Sequence, residues 1–152
     1  MSLENEINQR KFRNEYQKSA INIIYTNNWM AEKMNKLFDE WDITPQQFNI
    51  LRILRGAGQP LSTLQIRQRM LDRMSDTSRI VDRLVKKGLV KKSTCKLDRR
   101  LVDVIITDKG KKLLEKIDQY SDQMDAIMKN LTEQEAQTLN ELLDKIRNAK
   151  DE

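Results

Sequence analysis

The segment that decides the fold is residues 75–110, which read SDTSRIVDRLVKKGLVKKSTCKLDRRLVDVIITDKG. Its first part places Thr77, Ile80, Val81 and Leu84 at helical spacing and ends at Gly88, a residue type common just past a helix end. Two stretches rich in β-branched residues follow, 89–94 and 101–107, separated by polar residues. The segment therefore predicts a helix followed by a β-hairpin.

Two further helix starts lie upstream of this segment. Thr44-Pro45-Gln46-Gln47 and Ser62-Thr63-Leu64-Gln65 each place a capping hydroxyl three residues before a glutamine. This is the capping-box pattern, in which the side chains of the first and last residues satisfy each other's backbone N–H groups. Residues 56–60, GAGQP, separate these two helices. The order predicts a helix-turn-helix followed by a two-stranded wing.

The two ends of the chain predict long amphipathic helices. Residues 1–44 contain neither Gly nor Pro, and apolar side chains recur at helical spacing from Phe12 to Trp41. A helix is expected from Asp108 to about Asn130, and Thr132 should begin a last helix. The apolar positions expected inside that last helix are Ala136, Leu139, Leu142, Leu143 and Ile146. These stripes exceed the needs of one small core, so they favour a homodimer; the alternative is that both ends wrap a monomeric core.

The predicted fold class is therefore mostly α with a small β-hairpin wing, a winged helix-turn-helix framed by long N- and C-terminal dimerisation helices. We expect a dimerisation helix in residues 1–42, the DNA-binding region in 43–107 and dimerisation helices in 108–152. Together they should form one compact domain per chain.

Charge is concentrated in the middle of the chain. Residues 65–112 hold 15 of the 28 Lys and Arg residues but only 6 of the 23 Asp and Glu residues. A basic block between mildly acidic ends is typical of a protein that binds a polyanion with one face, although a solvated basic surface is the alternative.

The composition argues against an enzyme. The chain has no His, the commonest general base, and its single cysteine, Cys95, can form neither an internal disulfide nor a soft metal site. Glu133 and Glu135 belong to a capping box, and no glycine-rich phosphate loop is present. We expect no catalytic residues, cofactor or metal. The sequence also has no membrane span or secretion signal, which together with the lone cysteine favours the cytoplasm.

The order of these motifs resembles the MarR (multiple antibiotic resistance regulator) family between Ile43 and Leu114. The resemblance is carried by Thr44–Phe48, Asp82-Arg83-Leu84, Lys87-Gly88-Leu89-Val90, Asp98-Arg99-Arg100 and Ile106–Gly110. This chain departs from the family pattern at Lys91-Lys92 and at Arg67, which both add positive charge. The resemblance implies a transcriptional regulator that binds double-stranded DNA, a repressor released by a small-molecule effector, and an arginine of the wing entering the minor groove.

The candidate DNA-binding residues fall into three groups. The outward face of the helix that begins near residue 75 is expected to contact base edges or phosphates in the major groove, through Ser75, Asp76, Ser78, Arg79 and Arg83. Lysines should neutralise phosphates, namely Lys86, Lys87, Lys91, Lys92 and Lys96. The wing supplies Asp98, Arg99 and Arg100, in which Asp98 either holds a guanidinium or only caps the turn.

We call the helix that begins near residue 75 the recognition helix. A dimer should hold its two recognition helices about one DNA turn (~34 Å) apart and bind a pseudo-palindromic operator. The effector is unidentified; Trp29, Met30, Met34, Trp41 and Phe48 are better explained as core than as its pocket. Cys95 has cationic neighbours that favour thiolate, but an incidental cysteine is the simpler interpretation. The alternatives for function are a nonspecific architectural nucleic-acid-binding protein and a helical protein-interaction module.

Overall fold

The computed structural model describes residues 1–94, 97–98 and 102–148 of the chain. Its elements are α1 (Leu3–Glu6), α2 (Glu15–Asp39), α3 (Pro45–Ala57), β1 (Leu61–Ser62), α4 (Thr63–Arg69), α5 (Thr77–Lys86), β2 (Val90–Thr94), β3 (Val102–Ile106), α6 (Asp108–Asp118), α7 (Ser121–Asp125), a 3₁₀ turn (Ala126–Met128) and α8 (Glu133–Arg147). This order confirms the mostly helical class with a small wing. Within the described part, no helix is both long and apolar enough to cross a membrane.

Three helices begin at complete capping boxes. The hydroxyl of Thr44 accepts a hydrogen bond from the Gln47 amide at 3.1 Å, and the side chain of Gln47 accepts one from the Thr44 amide. Ser62 with Gln65 and Thr132 with Glu135 repeat the arrangement at the starts of α4 and α8. Each box satisfies backbone donors that the first turn of a helix leaves without partners. The three helix starts predicted from these motifs are confirmed.

The sheet has three antiparallel strands in the order β1–β3–β2, one more than the hairpin predicted from the sequence. In the wing, Val90 of β2 lies opposite Ile106 and Thr94 lies opposite Val102. The added strand is the two-residue β1, in which Leu61 pairs with Val104. It ties the segment between α3 and α4 to the inner strand of the wing, and the side chain of Leu61 is fully buried.

One core joins the winged unit to α6 and the end of α2. Its buried side chains are Phe38, Ile43, Ile50, Leu51, Leu54, Leu61, Ile66, Met70, Val81, Leu84, Leu89, Val90, Val104, Ile106, Leu114 and Ile117. The ring of Phe38 lies 4.6 Å from that of Phe48 and 6.0 Å from that of Trp41. Met34, Trp41 and Phe48 pack against this core, as expected of core residues. The same expectation is wrong for Trp29, which is exposed on α2.

The N-terminal region differs from the predicted single helix. Asn8 has a positive φ of 52°, and Phe12 lies in the segment between α1 and α2. The main helix starts only where the Asn14 side chain accepts a hydrogen bond from the Gln17 amide at 2.9 Å, and it then continues unbroken to Asp39. Glu4 of α1 meets Lys18 of α2, and this hydrogen bond lowers the pKa of Glu4 to about 2.

The C-terminal region also differs in two ways. The helix expected from Asp108 to Asn130 ends at Asp118, and the chain turns where Tyr120 packs edge-on against Trp41 at 5.1 Å. None of the residues of α8 is buried: Leu142 is 54% exposed and Ile146 is 58% exposed. The prediction that these side chains lie inside is wrong for a single chain: Ala136, Leu139 and Leu143 are half-buried, and Leu142 and Ile146 are exposed.

Candidate nucleic-acid interface

Helix α5 has one face in the core and one in solvent. Thr77, Val81 and Leu84 are buried, whereas Ser78, Arg79, Asp82, Arg83 and Lys86 are exposed. This division follows from the helical period, which returns buried positions every three to four residues. The structure therefore brings four of the predicted DNA-binding residues, Ser78, Arg79, Arg83 and Lys86, to one solvent-facing surface.

The start of α5 is fixed by local hydrogen bonds. Asp76 caps the helix by accepting from the Arg79 amide at 3.3 Å, and its other carboxylate oxygen lies 3.2 Å from Arg79 Nε. Ser75 is half-buried, and its hydroxyl donates to the Asp72 carbonyl at 2.7 Å. The predicted base-contacting residues thus include two, Ser75 and Asp76, that also hold the backbone turn before the helix.

Arg79 and Arg83 share a shallow depression with the beginning of α3. This depression has a volume of about 340 Å³, and its lining includes Thr44, Gln46, Asp72 and Ile80. Arg83 and Lys86 have no acidic partner among the residues that the structure describes. Unpaired cations on an exposed helix face are available to a polyanion without first breaking an ion pair.

Two of the predicted lysines bind other parts of the protein. Lys92 of β2 pairs with Asp82 of α5, which links the wing to the recognition helix. Lys87 donates to the Asp42 carbonyl oxygen and lies 3.3 Å from the Gln47 side-chain oxygen, so it connects the end of α5 to the start of α3. Lys91 is exposed on β2.

The tip of the wing lies mostly outside the described residues. Lys96, Arg99 and Arg100 were predicted to contact DNA and Cys95 was considered as a redox group, and all four lie outside them. Asp98 is described and is half-buried. Strands β2 and β3 lead directly to this tip, with Lys91, Lys92 and Ser93 exposed along β2.

Helix α6 is fastened to the end of α5 and the base of the wing. Lys109 Nζ donates to the Lys87 carbonyl at 2.8 Å, and the Thr107 hydroxyl donates to the Gly88 carbonyl at 2.7 Å. The Thr107 amide donates to the Leu89 carbonyl at 3.0 Å. We call this group of contacts the α5–α6 junction. It couples the recognition helix to the first C-terminal helix through backbone atoms.

A second contact joins α6 to the helix-turn-helix. Arg55 at the end of α3 forms two hydrogen bonds with Asp118 at the end of α6, at 2.7 and 3.1 Å. The hydrogen bonds with Asp118 raise the pKa of Arg55. Both ends of α6 are therefore connected to the winged unit.

A lysine-lined depression of about 640 Å³ lies beside the α5–α6 junction. Lysine residues surround it, and its apolar lining comes from the end of α2, the loop after α5 and helix α6. The lining residues are Trp41, Asp42, Ile43, Lys86, Lys87, Leu89, Lys109, Lys112, Leu113 and Lys116. Of the residues considered as effector pocket from the sequence, only Trp41 lines it.

The structure also exposes apolar side chains that were not predicted as a site. Leu71 and Met74 lie exposed in the turn before α5, and Leu64 is exposed on α4. The available signal was a pair of large apolar residues in a turn that follows Arg69 and contains Arg73.

Apolar side chains are exposed on both terminal helices as well. On α2 they include Tyr16, Ile23, Ile24 and Trp29, and on α8 they are Leu142 and Ile146. Large apolar side chains exposed on two helices of one chain are candidates for an interface with another chain.

Comparison with known proteins agrees with this architecture. The sequence profile of the MarR family matches residues 41–101. The HTH-type transcriptional regulator MgrA of Staphylococcus aureus is 28% identical over 118 residues, 78% of this chain and 79% of MgrA. A MarR mutant from E. coli, solved in complex with operator DNA, is 28% identical with a TM-score of 0.80 over 90% of this chain and 99% of that one. A MarR transcription factor from Planctomyces limnophilus is 30% identical with a TM-score of 0.67, covering 91% of this chain and all of its own. The chain belongs to the MarR family of transcriptional regulators.

Proposed function

We propose that this chain binds a pseudo-palindromic operator as a homodimer in the cytoplasm and represses transcription until a small-molecule effector releases it. The observation that carries the proposal is the exposed face of α5, where Ser78, Arg79, Arg83 and Lys86 lie beside a basic wing. The likeness to a MarR protein solved on operator DNA supports the same orientation. In this arrangement α5 enters the major groove and the wing reaches the neighbouring minor groove.

Each group of DNA-binding residues has its own role in the proposal. Five residues lie at or near the base edges, namely Ser75, Asp76, Ser78, Arg79 and Arg83. Phosphates are neutralised by Lys86 and Lys92. At the wing tip Lys96 adds positive charge, and Asp98 orients Arg99 and Arg100 toward the minor groove. Because phosphate contacts release counterions, log affinity should fall by about 0.9 per neutralised phosphate for each tenfold rise in salt concentration.

The proposal divides the chain into three functional parts. Residues 43–107 bind DNA, and residues 1–42 and 108–152 form the dimer. Exposed apolar side chains on α2 and α8 support the dimer, since two such faces together would remove this surface from water.

A substitution in the wing tests the proposed DNA contact. We expect Arg100→Ala to weaken binding to a fragment from upstream of the protein's own coding region by about tenfold or more, while folding and mass stay unchanged. Fluorescence anisotropy against labelled duplex measures the affinity. Arg147→Ala is the matched control: Arg147 pairs with Asp144 on α8, outside the proposed DNA interface. Because α8 belongs to the proposed dimer, the mass of this variant is measured as well.

Two results would contradict this proposal. Equal affinity for the upstream fragment and for random duplex would indicate a nonspecific architectural protein. No binding to either duplex at low salt would leave the protein-interaction module as the better explanation.

For the effector we infer an organic anion bound in the lysine-lined depression beside the α5–α6 junction. Its apolar floor suits the body of such a molecule, and lysine ammonium groups suit its charge. A panel of organic acids, each paired with its neutral amide, tests the class by release of labelled DNA. Release by the amide as readily as by the acid would exclude the lysines as the recognition element.

A further inference from the structure

The turn between α4 and α5 presents large apolar side chains to solvent. Met74 is 94% exposed and Leu71 is 81% exposed, and Leu64 of α4 is 63% exposed. The backbone under Met74 is held in place, because its amide donates to the Asp72 side chain at 3.0 Å and the Ser75 hydroxyl donates to the Asp72 carbonyl. Met74 is thus directed outward by a hydrogen-bonded turn.

Met74 and Leu64 line one depression of about 450 Å³ against the start of α5. Arg67 lines the same depression, together with Thr63 and the first residues of the recognition-helix region, Ser75–Ser78. Leu71 belongs to the same turn but does not line it. The depression therefore combines two apolar side chains, a guanidinium and the residues that lie closest to the predicted base-reading positions.

The charge around this depression favours DNA as its occupant. The charged residues that line the depression are Arg67 and Asp76, and Asp76 is paired with Arg79. Over residues 67–79 the exposed charges are four arginines, Arg67, Arg69, Arg73 and Arg79, against two acids, Asp72 and Asp76, so positive charge is in excess. DNA offers only a few apolar groups that could pack against Met74 and Leu64. In the major groove of DNA, the apolar group that distinguishes one base from the others is the C5-methyl of thymine.

We propose that Met74, supported by Leu64, contacts the methyl group of a thymine at one position in each operator half-site. The inference rests on the proposed function and adds a specificity determinant to it. Arg67 lies beside the same base step and neutralises a phosphate. Met74 carries sequence information in this arrangement, whereas Arg67 contributes affinity for any sequence.

Uracil substitution is the direct test, because 2′-deoxyuridine differs from thymidine only in lacking this methyl group. Duplexes bound by the full-length protein are first enriched from a random pool. Each thymine of the enriched site is then replaced by uracil, one position per half-site at a time. Loss of one buried methyl should weaken binding by about fourfold per half-site at a single position.

Two variants make the test specific. Met74→Ala should enrich sites with relaxed preference at that position and should bind thymine and uracil duplexes equally. Leu71→Ala is the matched control, an equally exposed apolar residue of the same turn, and should keep the full uracil effect. Both side chains lie in solvent, so neither variant should alter the thermal unfolding temperature.

The outcomes separate this inference from the proposed function. A clear sequence preference that no uracil substitution weakens, or a uracil effect that persists in Met74→Ala, overturns the thymine contact and leaves operator binding intact. If Leu71→Ala abolishes the uracil effect and Met74→Ala does not, the methyl contact belongs to Leu71, and the proposal is again overturned. Failure to enrich any sequence overturns both.

Discussion

At the scale of single residues, Gly110 is the glycine with the least room for a side chain. A Cβ atom there would lie 2.4 Å from the Leu89 carbonyl oxygen and 2.8 Å from Ile106 Cγ1. The first of these is a backbone atom that takes part in the α5–α6 junction. We expect Gly110→Ala to lower the free energy of unfolding by about 1–3 kcal/mol, because the junction must shift to admit the methyl group.

Gly56 provides the matched control for this prediction. It lies in helix α3, and a Cβ there would meet no atom within 4 Å. Gly56→Ala should therefore raise stability by about 0.5–1 kcal/mol, because alanine loses less backbone entropy in a helix. Urea unfolding of both variants measures the difference. If Gly110→Ala were as stable as the parent chain, close packing at this junction would not explain the glycine.

Gly88 and Gly110 together show what the sequence can predict at this scale. Gly88 was expected to end the recognition helix in a left-handed conformation, and its φ of +71° confirms this. The need for Gly110 arises instead from Leu89, which is distant in sequence and meets it only after the wing has formed. A close approach between separate segments leaves no local pattern in the sequence.

At the scale of elements, the contact between α3 and α6 is held by the Arg55–Asp118 pair. Both side chains are partly exposed, so their charges remain largely solvated. Despite the two short hydrogen bonds, we expect a coupling free energy of no more than about 1 kcal/mol. A double-mutant cycle with Arg55→Met and Asp118→Asn, measured by urea unfolding at low and high salt, gives this value. A coupling of several kcal/mol that salt does not weaken would contradict it.

The elements themselves could be predicted where local interactions define them. The capping boxes at Thr44, Ser62 and Thr132 each depend on residues three positions apart, and all three were recognised in the sequence. The end of α6 at Asp118 and the pairing of Leu61 with Val104 depend on distant partners, Tyr120 with Trp41 in the first case and the inner wing strand in the second. These two features were missed for that reason.

The candidate site shows the same limit. Helical periodicity alone predicted which side of α5 faces solvent, and the structure places Ser78, Arg79, Arg83 and Lys86 there. It did not predict that Lys92 pairs with Asp82, since that contact requires the wing to fold back on the helix. The exposed position of Met74 likewise follows from the hydrogen-bonded turn at Asp72, which residue composition does not specify.

At the scale of the whole molecule, the exposed faces of α2 and α8 determine the proposed assembly. We expect Leu142→Asp to convert a dimer into a monomer at micromolar concentration, because a carboxylate would have to be buried in the interface. Sedimentation equilibrium measures the mass. Leu97→Asp is the control for mass alone, since Leu97 is also an exposed leucine but lies in the wing, away from α2 and α8 in the chain.

This experiment also tests DNA binding by the assembly. The monomeric variant should lose most of its affinity for a full operator while keeping weak binding to one half-site, because the second contact is then no longer intramolecular. A parent chain that sediments with the mass of one chain would contradict the dimer outright. If the Leu142→Asp variant remained dimeric, the dimer interface would have to lie elsewhere than on α8.

The α5–α6 junction has a consequence for the choice of binding site. Because Lys109 and Thr107 donate to carbonyl groups at and just after the end of α5, this helix cannot rotate relative to α6 without breaking those hydrogen bonds. In the proposed dimer each α5 should therefore move together with its α6, and the dimer sets the angle between the two α5 helices. Adding one base pair between half-sites turns the second half-site by about 35° around the duplex axis. Such an insertion should weaken binding even though the sequence of each half-site is unchanged.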